Sequence, residues 1–342
     1  MKASILREAR KLDIIEYKLP KLKANEVLVK VDCVGICGTD VSVYRGDYTA
    51  KENVILGHEY NGTVAEAGEE VSRVKVGDSV VSQASWGCGK CYWCNTGMPS
   101  YCEAPNMLGR TIDGSLAEYI IVPENVLLKI DKDVSSIEAQ SAVGVATALR
   151  AVDRSGLKIG DSVLIIGPGY SGLIMMQLCK LAGAKDVVMV GTRDSRLKIA
   201  QGIGIDLTVN NKQDPDWEKN LLERTKNIGF DICIEATGTV PSLLSCMRMV
   251  KKGGTVVQFG TSFNKIDGLP QKDFYTREIT LKGSKGGYGF YPKAVDLLEQ
   301  KKLIIDPLIT HKFALSEVSR AFEVMDKRLD NVLRAVVFCN KD

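Results

Sequence analysis

The sequence predicts an α/β chain in which a β-rich domain precedes an open, doubly wound parallel sheet, and three observations predict it. Residues 163–166, Val-Leu-Ile-Ile, form a short apolar run that reads as a buried parallel strand ending at a turn. The turn, Gly167-Pro168-Gly169-Tyr170-Ser171-Gly172, fits G-x-G-x-x-G and leads into residues 173–181, long enough for a helix, with Gly183 placed to cap it. Strand–helix alternation continues through residues 230–235 and 254–259, whereas the residues before Val122 are short strands punctuated by glycine.

Length and composition set the frame. A chain of 342 residues holds two domains with sizeable cores. With 45% hydrophobic and 25% charged residues, it has the balance of a globular domain rather than a disordered tail. The formal net charge of +3 comes with no basic run, which argues against a nucleic-acid partner. The first ten residues lack a signal-peptide core and no apolar run reaches membrane-spanning length, so a cytoplasmic protein with no membrane partner is expected. Ten cysteines would mean disulfides in a small secreted chain. Here the clustered ones read as metal-binding or catalytic.

Taken in order, residues 1–146 form the β-rich domain, 147–285 the dinucleotide-binding domain, and 286–342 a return to the first domain. Residues 14–19 are an apolar run broken at Pro20, and Glu26-Val-Leu-Val-Lys-Val31 alternates like a half-exposed antiparallel strand. Short strands around residues 60–64 and 74–81 complete a barrel-like pattern. Residues 136–149 read as one helical stretch bridging the domains, residues 279–283 as the last strand of the parallel sheet, and residues 291–300 as an amphipathic helix. The segment closing on Ala335-Val-Val-Phe338 is expected to rejoin the first domain.

Cys88, Cys91, Cys94 and Cys102 follow C-x2-C-x2-C-x7-C within one loop. Four thiolates so spaced suit a closed tetrahedral zinc, and leave no open position for chemistry. The bacterial iron–sulfur signature requires C-x3-C-P at its end, which is absent.

At the glycine turn, Gly167 allows the tight bend, Gly169 lets backbone approach a pyrophosphate, and Gly172 lets the helix pack on the strand. The amides of Tyr170, Ser171 and Gly172 at the helix start would hold phosphate oxygens. The next strand, residues 186–190, ends in Gly191-Thr192-Arg193, with Arg196 one turn further. An acidic residue there would hold the ribose 2′-hydroxyl of NAD. Thr192 and Arg193 instead offer a hydrogen bond and a charged fork to a 2′-phosphate, so NADP is expected, with NAD as the alternative.

Only His58 and His311 supply imidazole. Spacing alone does not join Cys37 to His58. Taken together, Cys37-Gly-Thr-Asp40, Gly57-His-Glu-Tyr-Asn-Gly-Thr-Val64, the four-cysteine loop and the glycine turn resemble the zinc-dependent medium-chain alcohol dehydrogenase family over nearly the whole chain, nearest its polyol, threonine and sugar branches. The resemblance implies a GroES-like β-barrel catalytic domain with a Rossmann domain, a catalytic and a structural zinc, and a homo-oligomer, tetramer or dimer. It implies that Cys37 and His58 are catalytic zinc ligands and that Glu59 is a carboxylate able to swing onto the metal. Thr39 would hydrogen-bond the substrate oxygen and start a proton relay through Ser42, which stands where several relatives carry histidine. The third ligand falls at Gln140, a neutral amide in place of Cys, Asp or Glu, acting directly or through water. His311 is implied to be structural. The expected chemistry is hydride transfer between NADP(H) and a small alcohol, polyol or sugar. A non-catalytic nucleotide-binding protein or a zinc-free quinone reductase of this fold would lack Cys37 and His58. Tyr44, Arg45, Trp86, Arg110 and Thr111, taken to lie in loops near these motifs, read as surface or packing residues.

Overall fold

In the computed structural model, which describes residues 1–261 and 265–340, the chain opens with a hairpin of β1 (Lys2–Glu8) and β2 (Lys11–Glu16). The strand that organises the first unit is β3 (Glu26–Gly35). Its side chains alternate until Val31, with Val27, Val29 and Val31 fully buried, and then stay mostly buried up to Gly35. The chain next forms α1 (Gly38–Arg45), then β4 (Glu59–Ala67), which pairs antiparallel with β3 and sets Gly35 opposite Glu59. After β5 (Ser79–Ser82) come β6 (Ser85–Trp86), the one-turn α2 (Tyr92–Asn95) and β7 (Asn106–Met107), followed by β8 (Tyr119–Pro123) and β9 (Leu127–Lys129). β6 pairs with β7, β8 with β3, and β9 with β5.

The single helical stretch expected over residues 136–149 is two helices, α3 (Ser136–Ala139) and α4 (Ala142–Ser155). The break has a local cause. Gln140 Nε2 and Ser141 Oγ both donate to the Ile137 carbonyl, at 2.8 and 3.2 Å, and the Ser141 amide turns to Glu138 instead. Polar side chains here take the acceptor that a continuing helix would use. The chain divides into two compact units at this helix: Met1–Ala146 with Tyr288–Asp342, and Thr147–Gly287.

The second unit is a six-stranded sheet, all parallel, built from β10 (Ser162–Ile166), α5 (Tyr170–Leu181), β11 (Asp186–Gly191), α6 (Asp194–Gly202), β12 (Leu207–Asn210), α7 (Trp217–Arg224), β13 (Phe230–Glu235), α8 (Val240–Met249), β14 (Val250–Gln258), α9 (Gln271–Arg277) and β15 (Thr280–Gly283). The spatial order β12-β11-β10-β13-β14-β15 reverses direction between β10 and β13, the topological switch point of a doubly wound sheet. β10 is buried along its whole length, as a strand covered on both faces must be.

The remaining elements, α10 (Tyr291–Glu299), β16 (His311–Ala314), α11 (Val318–Lys327) and β17 (Ala335–Phe338), belong to the first unit. β17 inserts antiparallel beside β3, completing a seven-stranded sheet. α11 buries Val318, Ala321, Phe322 and Val324 along one face, and Phe322 meets the Tyr44 ring with centroids 5.0 Å apart. Among the described residues no helix is long and apolar enough to cross a membrane.

Candidate active site

Cys37 caps the N-terminus of α1, a helix not foreseen in this β-rich region. Its amide donates to Asp40 Oδ2 at 2.9 Å. Asp40 Oδ1 accepts from the Gly57 amide at 3.1 Å and meets His58 Nδ1 at 3.0 Å. Burial alone would raise the Asp40 carboxyl; the His58 charge and hydrogen bond, with the Cys37 amide, outweigh it and hold the group below its ordinary range. Burial likewise opposes an imidazolium at His58, but Asp40 and then Cys37 raise it well above its ordinary value. With Nδ1 engaged, His58 presents Nε2, which lies 3.8 Å from Glu59 Oε1. The donor atoms of Cys37, His58 and Glu59 fall within 4.8 Å of one another. One thiolate sulfur, one imidazole nitrogen steered by a carboxylate, and one carboxylate oxygen make a set that suits zinc.

Glu59 Oε2 is bound by the buried Arg334 guanidinium from the turn before β17. Gln140, fully buried at the end of α3, donates through Nε2 to Ile137 and Ser141, while its Oε1 has no protein partner. A Cβ on Gly35 would stand 2.2 Å from Gln140 Oε1 and 2.5 Å from Arg334, so the glycine leaves room for both side-chain ends where β3 faces Glu59. An orphaned buried acceptor beside this strand fits a residue with a metal or a bound water to serve. Thr39 is exposed on the first turn of α1 and Ser42 lies three residues on, on the same side of the helix. Neither hydroxyl makes a hydrogen bond to the described residues.

The four cysteines of the long loop also converge. Cys91 Sγ is 3.6 Å from Cys94 Sγ and 3.8 Å from Cys102 Sγ, and Cys88 completes a group within 4.8 Å. Metal–sulfur bonds of about 2.3 Å in a tetrahedron separate sulfurs by about 3.8 Å, whereas a disulfide needs about 2.0 Å. Amides of Glu103 and Cys94 pull the Cys91 thiol down to about 6, while burial, with the sulfurs of Cys91 and Cys102, pushes Cys94 up to about 11. Ionising all four together therefore calls for a cation among them.

In the second unit α5 begins at Tyr170, three residues earlier than the apolar run implied, with Gly169 as its N-cap. Gly167 takes φ 122°, and a Cβ on Gly172 would sit 2.1 Å from the Gly167 carbonyl oxygen. A Cβ on Gly169 would meet nothing within 4 Å, which leaves open space over the helix N-terminus. Tyr170 is buried and Ser171 half-buried. At the end of β11, Gly191 packs on Pro168, Thr192 is exposed, and half-buried Arg193 caps α6, with Arg196 in its first turn. The neighbouring carboxylate of Asp194 is taken by Asn210 Nδ2 at 2.6 Å and Gln213 Nε2 at 2.8 Å.

The residues expected in loops near the catalytic motifs, and read as surface or packing, separate into groups. Tyr44 and Arg45 are on α1 rather than in a loop; Tyr44 is core and Arg45 pairs with Asp326. Thr111 Oγ1 closes its own turn by accepting from the Met107 amide at 2.8 Å. Trp86 is half-buried against the first unit's core. Arg110 lies over the Tyr48 ring, 4.7 Å from its centroid. His311 bonds Thr310 and stacks with Phe313, outside both metal groups.

Two functional residues escaped the sequence reading. Asp40 stands three residues after Cys37, the spacing of a helix capping box, and that spacing was its signal. Arg334 gives none, being 275 residues from its partner Glu59.

Residues 23–132 match the alcohol dehydrogenase GroES-like domain and residues 172–300 match the zinc-binding dehydrogenase family. The chain is 33% identical over 335 residues to D-arabinitol dehydrogenase 1 of Uromyces fabae, covering 96% of this chain and 95% of that protein. Its structure matches a chain described as a zinc-binding dehydrogenase from Sinorhizobium meliloti 1021 bound to NADP, at a TM-score of 0.92 and 29% identity over 98% of each chain. It also matches a short chain alcohol dehydrogenase from Escherichia coli CFT073 complexed with NADH, at a TM-score of 0.91 and 28% identity over 99% of each chain.

Proposed function

Because the chain belongs to the zinc-dependent medium-chain alcohol dehydrogenase family, with a GroES-like unit and a Rossmann unit, we propose that it oxidises a polyol, sugar or secondary alcohol with NADP. The observation that carries this reading is the convergence of Cys37, His58 and Glu59, with Asp40 fixing the imidazole. In this reading Cys37 and His58 hold the catalytic zinc, with Glu59 and Gln140 as its oxygen donors, and the four-cysteine loop holds a structural zinc. Bound zinc would lower the pKa of an alcohol oxygen, and the nicotinamide would take the hydride. Thr39 orients the substrate oxygen and accepts its proton, and Ser42, one turn along α1, passes it toward solvent. Arg334 keeps one oxygen of Glu59 occupied, so that a single oxygen faces the metal cluster.

The preference for NADP rests on exposed Thr192, on Arg193 beside it, and on Asp194 being turned to Asn210 and Gln213. A dimer or tetramer goes with the same reading and is checked by light scattering. The decisive measurement is metal content per chain together with NADP+ and NAD+ reduction across polyols, sugars and secondary alcohols. About two zincs with NADP-linked turnover is the expected result. One zinc and no turnover would favour a nucleotide-binding protein without catalysis. Arg193→Ala should raise the Michaelis constant for NADPH about tenfold or more while leaving that for NADH nearly unchanged. An equal rise in both would overturn the 2′-phosphate assignment.

A further inference from the structure

We propose that Arg110 is a specificity-determining residue that binds an anionic terminus of the substrate, so that the enzyme favours polyols or sugars carrying a carboxylate or phosphate over neutral ones. The inference rests on the dehydrogenase reading above and deepens it.

Arg110 is tied to both segments that carry the reacting groups. On one side, its loop wraps the residue before His58. A Cβ on Gly109 would stand 2.9 Å from the Gly57 amide nitrogen, one on Gly114 would stand 2.2 Å from the Gly57 oxygen, and the Ser115 amide donates to that same oxygen at 3.0 Å. On the other side, Arg110 meets the chain leaving α1, the helix of Thr39 and Ser42. Its guanidinium lies 4.7 Å from the Tyr48 ring centroid, its Nε donates to the Thr49 carbonyl at 3.1 Å, and its own carbonyl accepts from the Lys51 amide at 2.7 Å. The Asp47 amide in turn bonds the Ser42 carbonyl at 2.9 Å, which closes the connection to α1.

The charge around this residue is unbalanced. Arg45 has Asp326, Arg334 has Glu59 and Lys51 has Asp113. Among the described residues no carboxylate pairs with Arg110, although it is only half exposed. A guanidinium set over a ring, with Nε spent on a carbonyl and Nη1 donating only a long 4.0 Å contact to the soft Met107 sulfur, keeps Nη hydrogens that match a carboxylate or phosphate. The Tyr48 ring and the Thr49 and Met107 contacts hold the group before any ligand arrives, which lowers the ordering cost of binding. Gly38 and Thr39, the first residues of α1 after Cys37, are exposed, so solvent reaches the start of this helix.

The test uses the zinc-loaded full chain as wild type, Arg110→Met and Arg110→Lys, with matching thermal melts to show that all three fold. kcat and KM are measured for sorbitol, gluconate and sorbitol 6-phosphate, and binding of the two anions is followed by calorimetry. Wild type should favour at least one anion by about tenfold or more, and whichever it favours identifies the terminus. Arg110→Met should raise KM for that anion by about tenfold to a hundredfold, leave kcat nearly unchanged and leave sorbitol within about threefold. Arg110→Lys should recover only part of the loss, since it keeps charge without the fork. Equal losses for neutral and anionic substrates, or no preference in wild type, would mean that Arg110 only latches the loop. If no alcohol is oxidised at all, the dehydrogenase reading fails, and calorimetry still decides this one. Anion binding lost in Arg110→Met upholds it, and no anion binding in wild type overturns it.

Discussion

Cys37 holds two positions at once: its amide is fixed by Asp40 as the start of α1, and its sulfur joins His58 and Glu59. The Asp40 carboxylate thus sets the cysteine and the histidine from a single buried point, with 2% of its surface exposed. Cys37→Ala removes the sulfur and leaves this backbone hydrogen bond in place. It should abolish turnover by about a thousandfold or more, lower metal content by one zinc per chain, and leave the melting temperature of the metal-free chain within a few degrees. Full turnover in that variant would refute the metal mechanism. The family resemblance pointed to Cys37, His58 and Glu59 through short local motifs, whereas spacing alone did not join them, and the fold brings their donor atoms together. Arg334 was not, because its role exists only once β17 is laid beside β3. Gln140 was legible as a position, but its orphaned oxygen depends on a helix break that its own side chain and Ser141 create.

At the scale of elements, the cysteine loop is held by very little apart from its sulfurs. α2 and the turn at Pro99–Tyr101 bury no residue, and Tyr92 and Tyr101 are exposed around Trp93. A segment with so little buried apolar surface would depend on a metal bound by its four cysteines for order. Cys91→Ser should therefore lose the structural zinc and destabilise the chain by several kcal/mol, seen as a lower melting temperature and as proteolysis within residues 88–102. An unchanged melt with one zinc fewer would show that the loop is dispensable for stability. The same scale explains what pattern reading missed and what it caught. α1 is short and weakly amphipathic, and glycines and polar residues around it concealed the helix. α5 and β10, by contrast, are mostly apolar and joined by a glycine turn, so their packing was written in composition as well as in spacing.

For the whole molecule, alternation of period two and strand–helix order separated the β-rich unit from the parallel sheet. The return of β16, α11 and β17 to the first unit showed only as a closing apolar run, since nothing local says which sheet a last strand will join. The second unit is clamped at the starts of three neighbouring strands. Asp231, at the start of β13, accepts from the Ser162 amide at 2.8 Å and hydroxyl at 2.7 Å at the start of β10, and pairs with Lys251 in β14. Burial would raise this carboxyl, but Lys251 and the two Ser162 hydrogen bonds overcome it and bring it down to about 2 from an ordinary 3.8. A carboxyl whose pKa is depressed by folding adds stability that is present in full above its unfolded pKa and fades as pH falls toward the folded one. The contribution should be about 1–2 kcal/mol after solvent screening, and its window runs from about pH 4 down to about pH 2. Asp231→Asn should therefore lower stability against urea at pH 7, and the gap from wild type should shrink as pH falls through that window. A gap that stays constant from pH 7 to pH 2 would mean that the asparagine disturbs packing, and that the charge of Asp231 does not hold the three strands.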